Sequence, residues 1–296
     1  MVNFQSLKPR IFLNLSNLRK TSWLLWLHRK SRRMLVPCIV VGMSLSWAGE
    51  VNAQSNNEVS PPAEIAEALS QLDTAASREN LGDVLEFYSP EFTTSDGMTI
   101  DALEEALEVF WERFSNLRYE TQVISWEQED DSLIVETLTT ITGTQDLAQH
   151  EFDLVATIES RQQFENQKII RQETLSETSQ MTSGENPPSV DMVLPEQVGI
   201  GQRFTLDAIV LEPLGDDLLM GAAIEEPVQP SGYIVSAPVN LEVLSAGGLF
   251  KVGQAPAIPE NRWISTVIIR QDGITLTSQR LQVVSQSSTS TDPDTD

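Results

Sequence analysis

Cysteine is nearly missing from this 296-residue chain, which has only Cys38. It lies in a basic and apolar N-terminal stretch. Residues 54–296 therefore form no disulfide and carry no thiolate for nucleophilic or soft-metal chemistry. Histidine is also scarce: His28 sits in the same stretch, and beyond it only His150 remains. That excludes a His-rich zinc site. A serine-histidine triad would have to run through His150, and no Gly-x-Ser-x-Gly surrounds any serine. Positive charge is the third shortage. Eight of the 19 Lys and Arg lie in residues 1–53 with one of the 43 acids, which leaves 11 against 42 and a net charge of −31 on residues 54–296. A polyanion of that density repels phosphate backbones and anionic headgroups, so nucleic acid is excluded as a partner. The acidity otherwise reads as solubility.

The N-terminal stretch is itself informative. Arg29-Lys30-Ser31-Arg32-Arg33 precedes a mostly apolar run from Met34 to Ala48, and Val51-Asn52-Ala53 supplies small residues where a signal peptidase reads them. The run is shorter than the ~20 residues that span a bilayer. A lipoprotein reading through Cys38 fails, because Pro37 stands where a small residue is needed and the apolar stretch follows the cysteine. Residues 1–53 thus read as a signal peptide cleaved after Ala53, giving a periplasmic or secreted protein. The alternative is an uncleaved N-terminal membrane anchor. Ser31-Arg32-Arg33 also suits the twin-arginine route, although arginine pairs are ordinary ahead of a general secretory signal.

Residues 54–62 read as a linker ending in Pro61-Pro62. Beyond it, Ile65, Leu69 and Leu72 fall at the spacing of one helix face. A second short helix carries Leu81, Val84, Leu85 and Tyr88 and is stopped by Ser89-Pro90. Phe92–Thr99 reads as a strand, a turn at Asp96-Gly97, and a return. A third helix, Ile100–Phe114, buries Leu103, Leu107, Phe110, Trp111 and Phe114. Four long strands follow at 118–127, 132–141, 151–164 and 168–179. Their alternation, as in Phe152, Leu154, Ala156 and Ile158 against Glu151, Asp153, Thr157 and Glu159, predicts one buried and one wet face. A breaker cluster at Thr182–Ser189 sets a linker over 181–189. Large apolar residues are sparse from Glu177 to Ser189, so that stretch is expected to be mobile, cut first by proteases, and flanked by halves that fold separately. Over 190–285 the pattern is short strands at 190–194, 203–211, 218–224, 239–244, 263–270 and 274–284, broken by Pro and Gly. Residues 286–296 are a polar Ser/Thr/Asp tail, expected to be disordered.

The order of helices, hairpin, helix and four antiparallel strands over 63–180 resembles the nuclear transport factor 2-like superfamily with its SnoaL-like members. The stretch Leu81-Gly82-Asp83-Val84-Leu85-Glu86-Phe87-Tyr88-Ser89-Pro90-Glu91-Phe92, followed by Ser95-Asp96-Gly97, carries the likeness. The resemblance implies an α+β cone, with helices packed on a curved antiparallel sheet around an open pocket; 190–285 then reads as an all-β immunoglobulin-like sandwich. The superfamily includes isomerases, dehydratases, ligand binders and dimerisation modules, so fold leaves function open.

Through the resemblance, Asp96 stands where ketosteroid isomerase-like members keep a proton-shuttling aspartate. Against that, Asp-Gly is ordinary turn chemistry, and the first helix offers no tyrosine to hold an oxyanion. Some SnoaL-like members use a His-Asp pair, for which His150 is the candidate; the simpler reading is an exposed edge histidine after a loop. Tyr88, Phe92, Trp111, Phe114, Tyr119 and Trp126 either line an apolar ligand pocket or form plain core. Glu136 and Arg171 face in or out undecided. Gln128–Asp131 and Asp216-Asp217 lack the ligand spacing of a calcium loop. No metal or cofactor is implied. The expectation is an exported, non-catalytic binding or interaction module with a small apolar ligand or a protein partner, or a homodimer through the first domain's sheet. The alternative is a SnoaL-like isomerase or dehydratase with Asp96 as general base.

Overall fold

The structure, a computed structural model, describes residues 61–147, 150–215, 217–229, 240–244 and 247–285. The stretch read as a signal peptide, most of the expected linker after it, Asp216 and the polar tail lie outside the described residues.

Helix α1 (Ala63–Ser77) buries Ile65, Leu69 and Leu72, as their spacing predicts. Asn80 caps α2 (Leu81–Leu85) by accepting from the Asp83 amide, and Thr99 caps α3 (Ile100–Arg113) through the Ala102 amide. The sequence pattern carries the second helix to Tyr88 and begins the strand at Phe92. In the structure, strand β1 runs Tyr88–Thr94. It is drawn into extended form by parallel pairing, Tyr88 with Ile169 and Thr94 with Gln172.

Four long antiparallel strands come next: β2 (Ser115–Glu129), β3 (Ser132–Leu147), β4 (His150–Glu165) and β5 (Lys168–Gly184). Helix α1 is tied to one side of them. The Asp73 carboxylate accepts from the Thr121 amide and hydroxyl, both at 2.7 Å. The remaining strands are β6 (Val190–Val193), β7 (Gln197–Gly199), β8 (Arg203–Val210), β9 (Leu219–Pro227), β10 (Glu242–Leu244), β11 (Gly248–Gln254), β12 (Glu260–Arg270) and β13 (Gly273–Val284). Strand β11 has no counterpart in the sequence pattern. Gly253 hides it: the Phe204 ring lies where a Cβ would be, 2.3 Å from its ideal position, so close packing required a residue that reads as a loop.

The strands form a ten-stranded sheet, ordered β10-β9-β12-β13-β5-β4-β3-β2 with β1 on β5 and β7 on β13, and a three-stranded sheet β11-β8-β6. Ile264, Ile268, Leu281 and Val283 of the large sheet share a core with Phe204, Leu206, Ala208 and Leu249 of the small one. Residues of both sheets thus share one core in the second half. The large sheet, however, crosses the expected boundary. Strand β13 pairs with β5 from Gly273–Gly184 to Gln279–Thr178.

The linker expected at 181–189 is corrected accordingly. Met181 and Ser183 are buried within β5. Asn186 donates to the Asp272 carboxylate at 2.8 Å, and the Thr275 hydroxyl donates to the Pro188 carbonyl at 2.6 Å. The stretch resembles a linker because its strand is built from Ser, Thr and Gln, whose small inward members suit a close strand neighbour as well as they suit solvent.

Candidate functional site

Register sets which residues share the helix-bearing side of the sheet. One row reads Tyr119, Ile141, Ala156, Ser179, Ser278 and Ser265 across β2, β3, β4, β5, β13 and β12. The Ser265 and Ser278 hydroxyls meet at 2.5 Å. The row beside it holds Thr121, Thr139, Ile158 and Glu177, and the next Val123, Thr137, Ser160 and Thr174. Gln162 and Gln172 pair beyond them. Thr137, Thr139, Ser160, Gln162, Gln172, Thr174 and Glu177 are all buried. The buried side of β3–β5 is therefore polar over several residues. Ser160 Oγ and Gln172 Oε1 have no hydrogen-bond partner among the described residues, an arrangement that costs stability unless water or a ligand group supplies one.

Most of the aromatic candidates are interior. Tyr88, Phe92, Phe114 and Tyr119 are buried. Tyr88 and Phe92 pack edge to face at 4.8 Å, and Phe114 lies 4.6 Å from Phe110. Trp111 Nε1 donates to the Tyr119 hydroxyl at 3.1 Å. Burial pushes both the Tyr88 and Tyr119 phenols well above their usual range; the Asp73 carboxylate adds to the effect at Tyr88. Trp126 stands apart, more than a third exposed near the end of β2.

Asp96 occupies the turn between β1 and α3, where the Gly97 amide donates to the Thr94 carbonyl at 3.0 Å. The turn lies along the edge of β5, held by the Ser95 amide on the Gln172 carbonyl at 3.0 Å. Its carboxylate points into the protein. Arg280 Nη1 donates to Asp96 Oδ2 at 2.9 Å, and Asn261 Nδ2 donates to Oδ1 at 2.6 Å. The Asp96 side chain is 6% exposed and that of Arg280 not at all. Arg280 Nε also reaches Glu177 Oε2 at 3.3 Å, and the guanidinium lies 5.4 Å from the Trp263 ring centre. Turn chemistry and a buried acid thus coexist at Asp96, and its cation comes from 184 residues away.

Sequence reasoning missed Arg280, Glu177 and Asn261. A signal was present: Arg280 stands where the alternation of Ile274, Leu276 and Ser278 puts an inward residue, and a charge at such a position asks for a buried partner.

His150 opens β4 opposite Leu147 and is exposed. It lies eight residues along the strand from Ile158, the neighbour of Glu177, or roughly 26 Å at the rise of an extended chain. The structure therefore does not bring His150 to Asp96. Glu136 faces outward, where Arg161 bridges it and Glu173 at 2.8 and 3.5 Å; Arg171 is exposed.

A family model described as a domain of unknown function (DUF8623) matches residues 185–284. No curated protein matches the chain. Among solved structures, the chain is similar to Bd1075 of Bdellovibrio bacteriovorus, at 18% identity over 38% of this chain and 40% of that one, with a TM-score of 0.28. It is similar to a ketosteroid isomerase-like protein from Erwinia carotovora atroseptica, at 19% identity over 40% of this chain and 95% of that one, with a TM-score of 0.31. It is similar as well to an M. tuberculosis LEH-like epoxide hydrolase, at 9% identity over 38% of this chain and 80% of that one, with a TM-score of 0.26. The structures it resembles thus include ketosteroid isomerase-like folds, and the described chain is mostly antiparallel sheet with few helices.

Proposed function

We propose that the chain is an exported, non-catalytic binding or interaction protein, in which a nuclear transport factor 2-like cone over 63–184 is braced by the C-terminal sheet. The observation that carries this reading is the state of Asp96. A general base must reach the substrate's C–H proton, and the Asp96 side chain is only 6% exposed. Both oxygens of Asp96 are engaged, one by a buried arginine and one by an asparagine, and both donors belong to the second half of the chain. Its carboxylate serves as the counter-ion of Arg280.

The binding face is the helix-bearing side of β3–β5. Its Thr137, Ser160, Gln162 and Gln172 suit a small ligand with hydrogen-bonding groups better than an apolar one. A protein partner or second copy would use the outward side, where Ile124 and Val155 stand about half exposed. The −31 charge of residues 54–296 keeps nucleic acid from either face.

The test is Asp96→Asn, read by equilibrium unfolding and by turnover of a β,γ-unsaturated ketone. The expected result is a loss of roughly 2–4 kcal/mol of stability, from leaving a buried cation short of one partner, with no Asp96-dependent turnover in either protein. Unchanged stability, with turnover in the parent that the variant lacks, would overturn the reading in favour of an isomerase with Asp96 as base.

A further inference from the structure

Strand β5 offers one edge to two different elements. Its first residues pair with β1, from Tyr88–Ile169 to Thr94–Gln172. Its last residues pair with β13, from Gln279–Thr178 to Gly273–Gly184. Between them the register of β5 shifts, with no ladder pair for Leu175, whose carbonyl takes a hydrogen bond from Gln282 Nε2 at 2.7 Å. The turn Ser95–Gly97 and the end of β13 meet at this gap. Arg280 sits at the junction, with Asp96 from the turn on one side and Glu177 from β5 on the other.

Beyond Arg280, the turn is held by the Asn261 amide on Asp96 and by the Ser95 amide on the Gln172 carbonyl. Ser95 and Gly97 are exposed, and β1 makes a short and irregular ladder. Such a segment opens locally at low cost unless something couples it to the core. Two contacts supply that coupling: the Asn261 amide on Asp96 Oδ1, and a buried ion cluster in which the Arg280 and Glu177 side chains have no exposure. Buried ion clusters contribute little net stability, but breaking one by removing a partner is costly, and their best-attested role is to fix how elements pair.

We propose that Arg280 is a latch that makes the β1–α3 turn and the C-terminal strand β13 open and close as one event. Closed, it holds the turn beside Gln172, Thr174 and Glu177. Opening would bare that polar part of the sheet, so the C-terminal half would govern access to it. The inference deepens the binding reading above, but its test reads coupling in the protein itself and needs no ligand.

Hydrogen exchange on the full chain decides it. In the parent, the amides of Ser95 and Gly97 should exchange at the same rate as those of Gln279–Gln282, because one opening exposes both. Arg280→Met should separate them: the turn amides should speed up by about ten-fold or more beyond any change in β13. Arg280→Lys, which keeps the charge, should leave the two groups together. Should Arg280→Met fail to fold, Asp96→Asn attacks the same pair from the exposed turn and should produce the same separation. Parent rates that already differ by about ten-fold, or variants that accelerate the whole chain equally, would overturn the latch. Latching with no ligand ever found would leave the latch standing and count against the binding reading alone.

Discussion

Tyr88 and Tyr119 each bury a phenol beneath the helices, and that burial fixes the direction in which alkali acts on stability. Burial raises both pKa values above the ordinary 10.0, so the folded chain keeps protons that the unfolded chain gives up. Their contribution to stability is fully present below about pH 10 and is lost as pH rises beyond it towards the folded values. We expect neither phenol to ionise before the alkaline unfolding transition in a tyrosinate absorbance titration, and Tyr119→Phe to move that transition to higher pH. Reversible ionisation of both near pH 10 with the fold intact would show that they are solvated. The same logic of lost water governs Asp96 and Arg280: burying either charge is costly once its partner is removed.

At the level of the elements, the junction of β5 and β13 depends on a backbone feature. Gly184 has φ of +101°, and a Cβ there would lie 2.3 Å from the Asp272 carbonyl oxygen, in the turn between β12 and β13. Gly184→Ala should therefore cost about 2–3 kcal/mol, from left-handed strain and a backbone clash together. Gly82→Ala, where the nearest atom is 3.7 Å away and the residue lies in α2, should be neutral or slightly stabilising. Equal effects in urea unfolding would remove the argument for a tight junction. Elements whose pattern is set by burial were legible from sequence: the stripes of α1 and α3 and the alternation of β2 to β5 follow from which residues must leave water. What could not be read was pairing. Thr178, Ser179, Gln180, Thr182 and Ser183 look like a linker because small polar residues suit a solvent-facing loop and the edge of a buried strand alike. Residues 184 and 253 look like breaks because glycine marks both a turn and a close approach. Asp96 was legible as a special position, but its partner Arg280 was not, since local pattern carries no information about a contact 184 residues away.

Across the whole molecule, one sheet joins the region matched by the domain family, residues 185–284, to the helix-bearing region before it. The two share a strand ladder, a buried ion cluster and the hydrogen bonds that pin Asn186 and Pro188. Removing the second half would bare the edge of β5 and leave Asp96 and Glu177 without their arginine, an uncompensated pair of acids in the interior. The halves are therefore expected to behave as one cooperative unit. The most direct measurement is urea unfolding of residues 54–296, followed separately through Trp111 or Trp126 in the first half and Trp263 in the second. Cooperative unfolding of the two halves predicts coincident transitions with one midpoint, no early proteolytic cut between 181 and 189, and no cooperative transition for 54–184 expressed alone. Two separated transitions, or a stably folded 54–184 fragment, would contradict it.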